Sequence, residues 1–319
     1  MTRPKLVIAD DGNADLNAAY SRCRALNAEH GRTYYLATRM LHPTQRPAVY
    51  ALYGFARYAD DIVDEPASGT DVDTIATQLT DLGRSLRSGL DSGHSAHPVL
   101  AAVVDTVGRY QIDPALFAVF LDSMLMDLTV TDYPNRAVLS SYVHGSAEVI
   151  GLQMLPVLGT VTSRTEAVPY AAALGHAFQL TNFLRDIAED LDRGRIYLPA
   201  DELATFDVDR DRLLWCRRTG RLDNNVRRAL EHQIAYVRSV YREAKDGIVM
   251  LHPISRPCVA TAFDLYGRIL NRIEDQDFNV FAGRATVGTG QRIAVAARAA
   301  ARTVAVRASV RTLPTPAPS

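Results

Sequence analysis

Two pairs of aspartates constrain this chain more than any other feature. Asp60 and Asp64 stand four residues apart in Tyr58-Ala59-Asp60-Asp61-Ile62-Val63-Asp64-Glu65, and Asp186 and Asp190 repeat the spacing in Asn182-Phe183-Leu184-Arg185-Asp186-Ile187-Ala188-Glu189-Asp190. On a helix this spacing stacks two carboxylates one turn apart on the same face, where like charges repel. Both clusters close an apolar helical run: Pro66 stops the first, and Gly194 follows the second. The helix dipole is negative at that end and disfavours each carboxylate by roughly 0.3–1 kcal/mol. One such pair alone would read as a solvated face. Two, both set against the dipole in apolar surroundings, point to a bound divalent cation that reverses the sign.

The rest of the chain is helical in pattern. From about Leu16 onward alanine, leucine and arginine abound and alternating runs are scarce. Helices are predicted near 16–29, 33–41, 44–65, 71–90, 96–110, 114–127, 136–159, 165–191, 222–246, 253–274 and 287–310, separated by breakers such as His42-Pro43, Asp113-Pro114 and His252-Pro253. No repeat of fixed period and no Gly/Ser linker interrupts them. The expected fold is all-α: a single helical domain over 15–310, a flexible polar arm over 1–14 and a flexible proline-bearing tail over 311–319.

Composition narrows the function. With 319 residues and 47% hydrophobic content the chain can bury a large core. A net charge of -1 offers no basic field for nucleic acid. Cys23, Cys216 and Cys258 form no CxxC pair, so neither a zinc site nor a disulfide frame is expected. Met1 to Asp11 lacks the apolar run of a signal peptide, and no stretch reaches membrane-span length. A cytoplasmic location is expected. Peripheral membrane contact and oligomeric state are left open.

The candidate ligands are hard oxygens: Asp60, Asp61, Asp64, Asp186, Glu189 and Asp190, with Asn182 one turn before Asp186. They suit Mg²⁺, or Mn²⁺ as the alternative, and Mg²⁺ usually keeps waters and bridges to substrate phosphates. Arg57, Arg185, Arg193 and Arg195 accompany the acids, and carboxylates with magnesium and arginines describe a polyphosphate site. There is no GxxxxGK[ST] loop, and Gly288-Thr289-Gly290 does not continue into a dinucleotide fingerprint. An apolar diphosphate above a greasy cavity fits better than ATP or NAD. Tyr34, Tyr35 and Phe178 read as core, His144 and His176 carry no assigned role, and the arginines at 292, 298, 302, 307 and 311 read as an exposed helix face.

These residues resemble a known family. Tyr50-Ala51-Leu52-Tyr53-Gly54-Phe55-Ala56-Arg57-Tyr58-Ala59-Asp60-Asp61-Ile62-Val63-Asp64 resembles the first aspartate motif of the squalene/phytoene synthases. Leu174 to Asp190, followed by Gly194-Arg195-Ile196-Tyr197-Leu198-Pro199, resembles the second, and Arg24 to Arg39 is similar to the early segment of bacterial phytoene synthases. The resemblance runs from about Cys23 to Val287. It implies the isoprenoid synthase-type helical bundle around a central cavity. It implies Asp60, Asp64, Asp186 and Asp190, with Asn182, as holders of Mg²⁺. Thr33, Arg57, Gln179, Asn182, Arg185, Arg195 and Arg284 would bind prenyl diphosphate, and Tyr142 and Tyr266 would be catalytic tyrosines on the cavity wall.

The implied reaction is the head-to-head condensation of two geranylgeranyl diphosphates to phytoene through a cyclopropyl diphosphate, as in carotenoid biosynthesis. Farnesyl diphosphate coupling to dehydrosqualene or presqualene diphosphate, a one-substrate terpene cyclase and a non-catalytic terpenoid binder are the alternatives. No pyridine-nucleotide feature is present and NADPH is not expected; nor is the C-terminal membrane anchor of eukaryotic squalene enzymes. Small residues at Ala37, Gly54 and Ala177 would admit a longer chain. The sequence departs from the family at Ser146 and Glu148, at Asp132 and at Gly283. The product is expected to be decided around Glu148.

Overall fold

Residues 15–67 and 69–309 are described by the computed structural model; the expected arm over 1–14 and tail over 311–319 lie outside them. Asp15 caps α1 (Leu16–His30) by accepting a hydrogen bond from the Asn17 amide. A short α2 (Arg32–Thr38) leads through a turn to α3 (Arg46–Asp64), whose first turn holds Pro47, where a missing N–H costs nothing. Then follow α4 (Val72–Ser92), capped by Asp71 and closed by Gly93 at φ 77°, α5 (Pro98–Tyr110) and α6 (Ala115–Met126). Strand β1 (Asp132–Tyr133) precedes α7 (Arg136–Val143), a π-helical stretch (His144–Glu148) and α8 (Val149–Leu158).

The long α9 (Arg164–Asp192) is capped by Ser163. After it come β2 (Ile196–Pro199), paired parallel to β1 across a bulge, then α10 (Ala200–Ala204) and α11 (Arg210–Thr219). The chain closes with α12 (Asn224–Lys245), a 3₁₀ turn (Asp246–Met250), α13 (Arg256–Asp275) and α14 (Thr289–Ser309). α9 packs against α8, α12, α13 and the π-helical stretch; α3 packs against α1, α4, α5, α6 and α8. Buried apolar side chains from Ala19 to Val295 form one contiguous core. Among the described residues, no helix is long and apolar enough to cross a membrane.

The all-α expectation holds, with three differences. The predicted helix over 136–159 is not uniform, because the π-helical stretch splits it. At its centre Gly145 lies so close to α6 that a Cβ would sit 1.9 Å from Ser123 Oγ, and the local widening accommodates that approach. The stretch between 192 and 222, where no element was predicted, holds β2, α10 and α11. Finally, a short duplication went unread. Leu41-His42-Pro43 with Arg46-Pro47, and Leu251-His252-Pro253 with Arg256-Pro257, form matching turns before α3 and α13. Arg46 Nε donates to the Leu41 carbonyl at 2.9 Å, and Arg256 Nε to the Leu251 carbonyl at 2.9 Å. The turns meet where Gln45 Nε2 donates to Ser255 Oγ at 3.0 Å, and they close the apolar end of the bundle.

Candidate active site

α3 and α9 each turn one face to a shared cavity of about 900 Å³, near the top of the roughly 300–1,000 Å³ usual for ligand pockets. Every site residue that the family resemblance implies lines it: Thr33 on α2, Arg57, Asp60 and Asp64 on α3, Tyr142 on α7, Gln179, Asn182, Arg185, Asp186 and Asp190 on α9, Arg195 before β2, Tyr266 on α13, and Arg284 before α14; Asp61, also a candidate ligand, lies off the wall. The charged residues gather at one end. The other end is apolar, walled by Ala37, Leu41, Leu158, Ala167, Leu251 and Cys258.

The four aspartates fall into two kinds. Asp64 accepts from Arg193 Nη1 at 2.9 Å and from Arg195 Nη1 at 3.3 Å. Asp186 accepts from Arg185 (Nε to Oδ1 2.7 Å, Nη2 to Oδ2 2.6 Å) and from Arg284 (2.8 and 3.0 Å). Among the described residues, Asp60 and Asp190 have no side-chain hydrogen-bond or ion-pair partner. Burial first, and then the like charge of Asp64, pushes Asp60 up to about 7. Burial and then Asp186 push Asp190 up to about 7 as well. The repulsion read from the four-residue spacing is thus present in both pairs.

Asn182 Oδ1 is buried in the cavity wall and has no hydrogen-bond partner among the described residues. Two carboxylates with no ion-pair partner among the described residues and an orphaned amide oxygen are the donor chemistry of a hard divalent cation. Among the described residues, no three acidic, histidine or cysteine side chains converge into a ready-made cage. That suits an ion held by one or two carboxylates and completed by waters and substrate phosphates.

Arg57 pairs with Asp61 and with Glu65 (2.9 Å). Several readings need correction. Tyr34 and Phe178, read as core, line the cavity with Tyr266; the Phe178 and Tyr266 rings stack at 4.4 Å and the Tyr34 ring lies 5.1 Å from Tyr266. Of the small residues, Ala37 lines the cavity, whereas Gly54 packs on Cys23 and Ala177 is buried away from it. Arg292, assigned to an exposed face, lines the cavity, and its buried Nε has no partner among the described residues.

Glu148 does not line the cavity. The π-helical turn presents Ser146 and Ala147 there instead. Glu148 lies between two histidines, His176 Nδ1 at 2.6 Å and His144 Nδ1 at 2.8 Å. A carboxylate can only accept, so both Nδ1 atoms carry protons. Burial would raise this carboxyl, but the hydrogen bonds from His176 and His144 outweigh it and hold it below the usual range. Asp132 likewise faces away, accepting from Arg210 Nη2 at 2.6 Å, and Gly283 lies off the wall.

A model of the squalene/phytoene synthase family matches residues 27–291. The chain belongs to that family. It is a prenyltransferase of isoprenoid biosynthesis. The phytoene synthase of Arthrospira platensis is 37% identical over 287 residues, covering 86% of this chain and 90% of that one. Phytoene synthase 1 of Arabidopsis thaliana, a chloroplast protein, is 35% identical over 313 residues, covering 97% and 72%. The bundle also matches a crystal structure of a dehydrosqualene synthase with a TM-score of 0.81 at 24% identity, over 91% of this chain and 98% of that one. At that identity the likeness establishes the fold.

The synthase cavity also holds residues that the sequence reading missed. Asp127 lines it, accepting from Tyr142 Oη at 2.6 Å and Tyr197 Oη at 2.8 Å. Its only local signal is a lone acid after the apolar run Met124-Leu125-Met126. Tyr197 stacks on Phe183 at 4.3 Å; it stood inside the quoted second motif without a role.

Proposed function

We propose that the protein condenses two geranylgeranyl diphosphates head to head, through a cyclopropylcarbinyl diphosphate, to phytoene. The observation that carries the choice of product is the 37% identity, along nearly the whole length of both chains, to a protein named phytoene synthase. Asp60, Asp64, Asn182, Asp186 and Asp190 are the proposed holders of Mg²⁺. When bound, the metal would neutralise diphosphate oxygens and make the diphosphate a better leaving group.

The chain's own groups supply the rest. Arg185, Arg195 and Arg284, with Thr33, Arg57 and Gln179, sit at the charged end and hold diphosphate oxygens by charge-assisted hydrogen bonds. Departure of the diphosphate leaves an allylic cation. The ring faces of Tyr34, Phe178 and Tyr266 offer it quadrupole stabilisation. The second substrate's double bond attacks, and loss of a proton closes the cyclopropane. Ionisation of that intermediate, rearrangement and a second proton loss give the triene. The apolar end of the cavity keeps water from the cations.

Replacing Asp60 or Asp190 by Ala removes a carboxylate that has no arginine of its own. Each should abolish turnover of geranylgeranyl diphosphate at saturating Mg²⁺, as should a chelator on the native protein. Near-native rates in either variant would overturn the ligand assignment.

A further inference from the structure

A buried carboxylate costs several kcal/mol unless a cation or several good donors compensate it. Asp127 follows α6, its side chain partly buried in the cavity wall, and no arginine, lysine or histidine makes an ion pair with its carboxylate among the described residues. Its donors are two neutral phenols, Tyr142 at 2.6 Å and Tyr197 at 2.8 Å. The nearby Arg195 spends Nη2 on the Asp127 backbone carbonyl at 2.9 Å and Nη1 on Asp64 at 3.3 Å. Burial raises the Asp127 carboxyl, even though the tyrosine hydrogen bonds work the other way. A neutral amide oxygen could accept two phenol protons at lower cost. What the carboxylate adds is the capacity to take one of them.

We infer that Asp127 is the proton acceptor behind Tyr142 in the step that closes the cyclopropane ring, an inference that rests on the coupling reaction proposed above. As the C–H bond next to the cationic centre breaks, its electron pair forms the ring bond. The proton passes to the Tyr142 oxygen, and the Tyr142 hydroxyl proton passes to Asp127 Oδ2. Tyr142 ends as it began and Asp127 ends as the acid, which returns its proton to the released diphosphate. Asp127 touches the substrate through Tyr142 and is therefore a positioning residue. Tyr197 and the Arg195 contact to its backbone hold it in register.

The test is single-turnover formation of the cyclopropyl intermediate in the native protein, Asp127→Asn, Tyr142→Phe and the double variant. Substrate is used with and without deuterium at the carbon that loses its proton. Asp127→Asn keeps the shape, and its melting temperature shows whether it folds. The expected result is a rate loss of about 10²-fold in each single variant. KM should be little changed, the double variant no slower than Tyr142→Phe, and a deuterium isotope effect should emerge in Asp127→Asn that the native protein does not show. A native rate in Asp127→Asn, losses that multiply in the double variant, or a slow Asp127→Asn with no isotope effect would each overturn the inference and leave the diphosphate itself as the base. If the native protein couples no prenyl diphosphate, the proposed function fails and this inference falls with it. If the native protein couples and Asp127→Asn does so equally well, this inference alone fails.

Discussion

Arg284 grips Asp186 with both arms of its guanidinium, Nε to Oδ1 at 2.8 Å and Nη2 to Oδ2 at 3.0 Å. A carboxylate so held is not free to ligate a metal. Arg284 comes from the segment before α14 and is half exposed, so it can leave when a diphosphate arrives. Without substrate, arginine and metal compete for the same oxygens.

Arg284→Ala should therefore bind Mn²⁺ more tightly than the native protein when no substrate is present, as read by the loss of free-ion signal in electron paramagnetic resonance. The same variant should turn over about tenfold or more slowly, because a diphosphate donor is gone. Unchanged Mn²⁺ affinity would show that the grip on Asp186 does not govern metal loading.

Glu148 gives a prediction about pH. Its folded pKa lies below its unfolded value, so its contribution to stability is present at neutral pH and is lost as pH falls through the folded value. Glu148→Gln should lower the denaturation midpoint at pH 7, and the gap to the native protein should narrow as pH falls below the ordinary carboxylate range. Because Glu148 bonds His144 and His176 off the cavity wall, the product of Glu148→Gln should be unchanged by mass spectrometry. A new product would restore Glu148 as the residue that decides the outcome.

Gly175 reverses an ordinary rule. Alanine in place of a helical glycine normally gains roughly 1 kcal/mol. Here a Cβ would meet the Ala147 carbonyl oxygen at 2.6 Å, which is rigid backbone of the π-helical stretch packed on α9. Overpacking of this kind costs about 1–3 kcal/mol, so Gly175→Ala should be destabilised in urea titration. Native or higher stability would mean that the π-helical stretch and α9 can move apart freely.

What the sequence disclosed and what it hid follow from the range of the interactions. The aspartate pairs were legible because the helix repeat itself sets Asp60 over Asp64 and Asp186 over Asp190. Their helix ends were legible from Pro66 and Gly194. Asp127 was not, because its donors arrive from 15 and 70 residues away. α11 escaped because Arg210-Asp211-Arg212-Leu213-Leu214-Trp215-Cys216-Arg217-Arg218-Thr219 buries only Leu213 and Cys216, too few for a periodic signal. The π-helical turn that takes Glu148 off the wall is a product of packing against α6 and α9, and no local residue announces it.

The central claim is coupling of two substrates, and product identity tests it most directly. The purified protein is incubated with Mg²⁺ and, separately, with geranylgeranyl and farnesyl diphosphate, and the extracted hydrocarbons are identified by mass spectrometry. The account predicts phytoene from geranylgeranyl diphosphate as the main product. A cyclic product retaining the carbon count of one substrate, or turnover of farnesyl diphosphate alone, would contradict it.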